Sequence, residues 1–308
     1  MKLATYLHNG RPGVGVVTGD EHLLPVDAWI RETPVTQAVA QRCAAAGIEP
    51  ASGGMVRLLQ AGPSALAALA LHVEATRATD RATLLPVDTV RLLAPVPRPG
   101  KIVAIGRNYA DHAKETGVAP FEKPRIIAKL PSSVAAPNTA IPCPPDVTKL
   151  DFEAELAVVI GAHARHIEAD DVPSVIAGYT VLNDMSAREF QFDVSPPQTT
   201  FAKSHDGFAP MGPWLVTRDE VPDPQALEVS TWLNGELMQY GHTADMLFPV
   251  NTLIAYLSRF MTLEPGDVVA TGTPAGSGAF RKPPRYLRSG DQLRLTVSGV
   301  GVLEHSIA

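Results

Sequence analysis

The sequence predicts an α+β fold that is mainly β, with short helices. Three observations point there. From residue 101 onward most apolar runs are short, β-branched and bounded by Gly, Pro, Asn or Asp, the pattern of strands. The 28 prolines fall in connectors, which suits an irregular, loop-rich β protein better than a helix bundle. The chain also lacks the regular alternation of strand and long helix that marks parallel α/β folds. Pro-rich APVPRPG at 94–100 marks a seam between a small N-terminal α+β domain over 1–95 and a larger domain over 96–308.

The elements follow in order. LATYL, VGVV and HLLPV over 3–26 read as antiparallel strands joined at Asn9-Gly10 and Gly19-Asp20. Residues 34–47 and 63–78 are Ala/Leu-rich and read as helices, the second opening with Pro63-Ser64. KIVAIG is a strand, and RNYADHAKETG a short helix with Asn108 as candidate N-cap and Gly117 as its stop. PRIIAKL is a strand running into a Pro-punctuated loop, and Leu150–Gly161 is a strand apolar on both faces beyond its acidic start. A short helix over 169–177, the strand GYTVLND, helix-like SAREFQFD and a loop over TTFAKSHDGFAPMGPWLVT come next. EVSTWLNGELMQYG is a hairpin turning at Asn234-Gly235, FPVNTLIAYLSRFM an amphipathic helix, LEPGDVVATGTPAGSG a strand with a Gly-rich loop, and DQLRLTVSGVGVLEHSI a closing hairpin.

Bulk properties exclude several classes. At 308 residues the chain can bury a sizeable core, and 45% hydrophobic with 19% charged residues is ordinary for a globular protein. A net charge of -6 and a pI near 5.8 argue against nucleic acid or an anionic membrane as partner. MKLATYLHNGRPGVG has no signal-peptide core, and no apolar run reaches the ~18 residues of a membrane span. The two cysteines form no framework and have no metal-ligand spacing, so a reducing cytoplasm is the expected location.

The chemistry gathers on one strand. Glu153 and Glu155 point the same way at the mouth of a buried run, where bare carboxylates are costly. Asp184, at the end of another apolar strand, is the natural third carboxylate, and Lys203 would balance the charge left by one divalent ion. Such an all-oxygen set favours Mg²⁺, Mn²⁺ or Ca²⁺ over zinc or copper; the alternative is a polar strand face and a turn-forming Asp. His112 and Glu115 share a helix face, either as a general base with its orienting carboxylate or as part of a solvated surface. Arg107 and Arg188 could clamp a substrate carboxylate or form structural ion pairs. The backbone N–H groups after Gly272 could bind an anion, although the P-loop pattern is absent. Arg281, Lys282, Arg285 and Arg288 read as a solvated basic loop.

Seven motifs in one order, GRNYADHAKE, KLPSSV, LDFEAELAVVIG, LNDMSARE, AKSHDGFAPMGPW, LNGELMQ and ATGTPAG, make residues 98–308 resemble the fumarylacetoacetate hydrolase superfamily. The resemblance implies a mixed β-roll or distorted barrel of mostly antiparallel strands, a homodimer, and a small N-terminal domain before it. It implies Glu153, Glu155 and Asp184 as ligands of Mg²⁺ or Mn²⁺, Lys203 as the active-site lysine, and His112–Glu115 as a pair on a lid helix. Arg107, Arg188, Gln191 and Thr273 match its substrate-contacting positions. His205 and Ser277 depart from its common Phe and Val, near the expected pocket. The implied activity is metal-dependent hydrolysis of a C–C bond in an acylpyruvate, a 2,4-dioxo acid. His112 would activate water and Lys203 would stabilise the developing charge. Decarboxylation, isomerisation or tautomerisation of a related 2-oxo acid through the same enolate is the alternative, and an inactive binding protein a remote one.

Overall fold

The strand Ala154–Ile160 is paired on both sides, with Ile176–Asn183 and with Val268–Ala270, so it lies inside a sheet. All seven of its residues are buried. Leu156, Val158 and Ile160 join a cluster that includes Val229, Leu295 and Leu303 of a second sheet and Leu253 and Leu257 of the helix Val250–Phe260. Ala157 and Val159 face the other way, into a cluster with Leu3, Val14, Leu58 and Leu69. Burial on both faces explains the near-continuous apolar run, since each Val, Leu or Ile so placed contributes ~1.5–3 kcal/mol.

These relations come from a computed structural model, which describes residues 1–308 except 20, 35–37, 40, 42, 44–53, 80–82, 118 and 120. Its main sheet runs in the order Leu85–Pro86, His22–Pro25, Arg11–Thr18, Lys2–His8, Ala209–Thr217, Ile176–Asn183, Ala154–Ile160, Val268–Ala270, Ile102–Gly106, Arg125–Lys129. Pairing along this path is antiparallel except between Val268–Ala270 and Ile102–Gly106. A five-stranded sheet, in the order Glu236–His242, Glu228–Leu233, Gln292–Val297, Gly301–Ile307, Ala140–Ile141, packs across from it. The fold is thus α+β with mainly antiparallel, mixed sheets and short helices. Lys2–His8 hydrogen-bonds directly to Ala209–Thr217, so the N-terminal strands extend the main sheet and share its core.

Several elements differ from their sequence expectation. The strand over 150–161 is two pieces, Leu150–Asp151 and Ala154–Ile160. At the break, side chains replace ladder partners: Glu153 N–H donates to Asn183 Oδ1 and Ala154 N–H to Gln239 Oε1. The expected loop after Lys203 contains the nine-residue strand Ala209–Thr217, concealed by Pro210, Gly212 and Pro213. Asn108 does not cap the helix Ala110–Glu115. Its amide instead bonds the backbone of Phe248 and Thr271. The helix expected over 169–177 is a 3₁₀ segment, Ala169–Ser174. The helix expected over 34–47 falls largely outside the described residues, whereas Pro63–Thr79 is helical. Asn234 and Gly235 both have positive φ, 52° and 85°, as the hairpin turn requires.

Candidate metal centre and active site

Glu153 and Glu155 flank the start of Ala154–Ile160, and Asp184 follows the end of Ile176–Asn183, whose ladder pairs Ala154 with Asn183. The Asp184 N–H donates to the Glu153 carbonyl, closing the register. One carboxylate oxygen from each of the three lies within 4.8 Å of the others, and all three residues are buried. Their donor set fits a hard divalent ion: all oxygen, convergent and mutually repelling. Burial together with Asp184 and Glu153 pushes the Glu155 carboxyl well above its usual range. Asp184 Oδ1 has no aligned hydrogen-bond donor, although Lys129 Nζ lies 2.7 Å away.

Cations hold two of the three carboxylates, Glu153 and Asp184. Lys203 Nζ donates to Glu153 Oε2, Asp184 Oδ2 and Ser186 Oγ at 2.8, 2.6 and 2.9 Å. All three ammonium protons are thereby committed to protein atoms, and the two carboxylates raise its pKa against the effect of burial. Arg188 bonds Asp151 Oδ2 through Nε, Glu153 Oε1 through Nη2 and Gln191 Oε1 through Nη1. Burial opposes ionisation of Glu153, but Arg188 and Lys203 hold it below the ordinary carboxylate range. Each carboxylate oxygen keeps a second lone-pair site, so these bonds leave Glu153 able to ligate.

His112 Nδ1 lies 2.7 Å from Glu115 Oε1, and the imidazole is buried against the edge of Phe280. A neutral ring donating through Nδ1 leaves Nε2 as a proton acceptor. The Gly-rich loop binds anions belonging to the protein itself. Gly272 N–H donates to Glu155 Oε2, Ala275 N–H to Asp111 Oδ2, and Gly276 N–H to both Glu115 oxygens. Gly272 has φ +101°, and a Cβ there would meet Asn108 Cβ at 2.7 Å, so only glycine brings this N–H to Glu155.

One cavity of about 620 Å³ is lined by Glu153, Glu155, Asp184, Lys203, His112 and the four expected substrate contacts. Those four differ in availability. Arg188 and Gln191 bond each other, and Thr273 Oγ1 donates to the Ala154 carbonyl while accepting from Gln239. Among the described residues Arg107 has no hydrogen-bonded or ion-paired partner and lies 5.6 Å over the Phe121 ring. His205 and Ser277 are not in the cavity wall. His205 packs among Phe190, Phe201 and Phe208, and Ser277 is fully buried. Sequence reasoning missed Lys129, buried beside Asp184, and gave no role to Asp151, whose oxygens accept from Arg188, Gly278 N–H and Ala279 N–H. A lysine within an apolar strand pattern was the available signal for the first; nothing marked the second. The basic loop is partly paired, Arg281 with Glu236 and Arg285 with Asp291.

Comparison with known proteins places this geometry. A human protein, "Oxaloacetate tautomerase FAHD2A, mitochondrial", is 41% identical over 271 residues, 85% of this chain and 86% of the relative. The structure of fumarylacetoacetate hydrolase from psychrophilic Exiguobacterium antarcticum superposes with a TM-score of 0.78 at 35% identity, covering 100% of this chain and 99% of that one. Maleylpyruvate hydrolase from Sphingobium sp. SYK-6, solved with manganese(II) and pyruvate, gives a TM-score of 0.75 at 30% identity, with 100% and 99% covered. The model "Fumarylacetoacetate (FAA) hydrolase C-terminal" matches residues 101–308, and the chain belongs to the fumarylacetoacetate hydrolase family.

Proposed function

We propose that the protein is a Mg²⁺- or Mn²⁺-dependent tautomerase or isomerase of a 2-oxo acid, with oxaloacetate as the first substrate to test. The observation that carries this reading is that His112, paired with Glu115, lines one cavity with the Glu153–Glu155–Asp184 trio. Keto–enol interconversion needs one proton taken from the carbon beside the carbonyl and one returned at the oxygen. It consumes no water. A divalent ion held by Glu153, Glu155 and Asp184 would supply Lewis-acid stabilisation of the developing negative charge. His112 Nε2 moves the proton, and Glu115 fixes the ring and stabilises the imidazolium. Arg188 holds Glu153 in place, and Lys203 holds both Glu153 and Asp184. The 41% identical tautomerase supports this chemistry over C–C hydrolysis. Hydrolysis of an acylpyruvate is the second reading, favoured by the pyruvate-bound maleylpyruvate hydrolase.

The test follows the enol absorbance of oxaloacetate with Mg²⁺ or with chelator, alongside acylpyruvates assayed for acid release. Metal-dependent acceleration of enol decay, without acid or CO₂ release, supports the proposal. Acid from an acylpyruvate with no tautomerisation overturns it in favour of the hydrolase.

A further inference from the structure

Asp151 is a fully buried carboxylate with no task in the chemistry above. It lies on the short strand Leu150–Asp151, whose ladder partner is Ser186–Ala187. Two donors reach each of its oxygens. Oδ1 accepts from the N–H groups of Gly278 and Phe152 at 2.7 and 2.9 Å. Oδ2 accepts from Arg188 Nε and the Ala279 N–H at 2.8 and 3.1 Å. Arg188 follows directly on Ser186–Ala187, so the ladder delivers its guanidinium beside Asp151. Gly278 and Ala279 open the 3₁₀ turn Gly278–Phe280. A Cβ on Gly278 would clash with the Arg285 carbonyl oxygen and lie 2.8 Å from Asp151 Oδ1, so glycine lets this turn settle on the carboxylate.

The two groups that Asp151 holds act on different parts of the centre. Arg188 Nη2 reaches Glu153 Oε1 at 2.6 Å. The turn ends in Phe280, whose ring meets the His112 imidazole at 5.6 Å between centroids with an interplanar angle of 75°. Arg188 Cζ lies 5.6 Å over the same ring. Phe280, His112, Arg188 and Glu153 all line the one cavity. Glu115 holds His112 through a bond at Nδ1, which by itself leaves the imidazole free to turn about that bond. An aromatic ring packed edge-to-face against the imidazole removes this freedom and keeps water off it.

We infer that Asp151 is a positioning residue shared by both halves of the active site. Through Arg188 it sets the Glu153 ligand, and through the turn Gly278–Phe280 it sets the plane of the His112 imidazole. The inference rests on the reading of His112 as the proton-moving base and names the groups that align it with the metal ligands. An amide cannot replace this carboxylate, because in either orientation its NH₂ group faces two donors. Loss of Asp151 therefore disturbs ligand and base together. Loss of the Phe280 ring disturbs the base alone, since Arg188 keeps its bonds to Asp151, Glu153 and Gln191.

Three measurements on the full chain test it: Mg²⁺ affinity by calorimetry, the rate at which diethyl pyrocarbonate modifies His112, followed by peptide mass, and oxaloacetate turnover. Asp151→Asn is expected to weaken Mg²⁺ binding about tenfold, the lower end for losing an outer partner of a ligand, and to speed His112 modification severalfold. Phe280→Ala speeds modification as much at unchanged Mg²⁺ affinity, and Phe280→Tyr, which keeps the ring, restores the slow rate. The double variant Asp151→Asn/Phe280→Ala modifies His112 no faster than Phe280→Ala, because both changes act on one contact. Turnover in Asp151→Asn and Phe280→Ala falls by up to ~10²-fold, as follows from misplacing a reacting group by about 1 Å. An unchanged modification rate in Asp151→Asn, or additive rates in the double variant, overturns the inference. If Asp151→Asn does not fold, Ala279→Pro removes only the donor to Oδ2. The same acceleration is then expected at unchanged Mg²⁺ affinity, and its absence overturns the inference equally. Metal binding and modification need no turnover, so the two readings fail separately. The expected pattern in a protein that does not tautomerise oxaloacetate removes the proposed function but keeps the positioning role, and tautomerisation without that pattern does the reverse.

Discussion

Glu155 differs from the other two carboxylates in what faces it. Glu153 is offset by Arg188 and Lys203, and Asp184 by Lys129 and Lys203, whereas the Glu155 side chain accepts from the Gly272 N–H. Its raised pKa follows from burial and two negative neighbours, so in metal-free protein it keeps its proton above the usual carboxylate range. Cation binding displaces that proton, and apparent Mg²⁺ affinity therefore weakens as pH falls through the shifted pKa. Glu155→Gln is expected to lower affinity by at least the ~10–100-fold typical of losing an outer partner, and to flatten the pH slope. Calorimetry in buffers of different ionisation enthalpy measures both. His112→Ala should bind Mg²⁺ normally while turnover falls ~10²–10⁴-fold; loss of the metal would remove its assignment as the proton-moving base. The spacing of Glu153, Glu155 and Asp184 was legible because strand alternation and a strand end are local patterns. Lys129 and Asp151 were not, since their roles depend on residues 55 and 37 positions away, Asp184 and Arg188.

At the scale of elements, the loop after Val268–Ala270 supplies the donors that position two acidic groups of the site. Gly272 serves Glu155 and Gly276 serves Glu115. Gly272→Ala places a Cβ 2.7 Å from Asn108 Cβ and 3.1 Å from the Ile105 carbonyl, at a φ of +101°. The backbone strain alone costs about 1–3 kcal/mol. The variant is expected to show a lower Tm and weaker Mg²⁺ binding together; a lower Tm with unchanged metal affinity would separate this loop from the site. The Gly-rich composition announced anion binding, but not that the anions are side chains of the same chain. Elsewhere the strands with β-branched runs and Asn-Gly turns were readable. Ala209–Thr217 was not, because Pro210, Gly212 and Pro213 erase the alternation and its membership of the sheet is fixed by partners far away in sequence.

At the scale of the whole molecule, the two sheets meet beside the metal centre through a histidine that carries no sequence signal. His305 lies on Gly301–Ile307 of the five-stranded sheet, and its Nε2 accepts from Asn183 Nδ2 at 2.9 Å, on the main sheet. Asn183 Oδ1 in turn accepts the Glu153 N–H, so the bond is continuous with the carboxylate trio. Protonation at Nε2 would set a donor against a donor in a buried position, and burial drives the pKa of His305 from 6.5 down to about 4. The unfolded chain therefore takes up this proton at a higher pH than the folded one. The stability linked to His305 is fully present above pH 6.5 and is lost as pH falls from there toward 4. At 1.36 kcal/mol per pKa unit the loss is about 3 kcal/mol. Chemical denaturation of Mg²⁺-loaded protein between pH 7 and 4 reads it as the difference from His305→Gln, which can keep an acceptor toward Asn183 but does not titrate. The gap between the two proteins should narrow by about 3 kcal/mol over that window, while other titrating groups contribute equally to both. A constant gap would mean that His305 is protonated as readily in the folded molecule as in the unfolded one, against the effect of its burial.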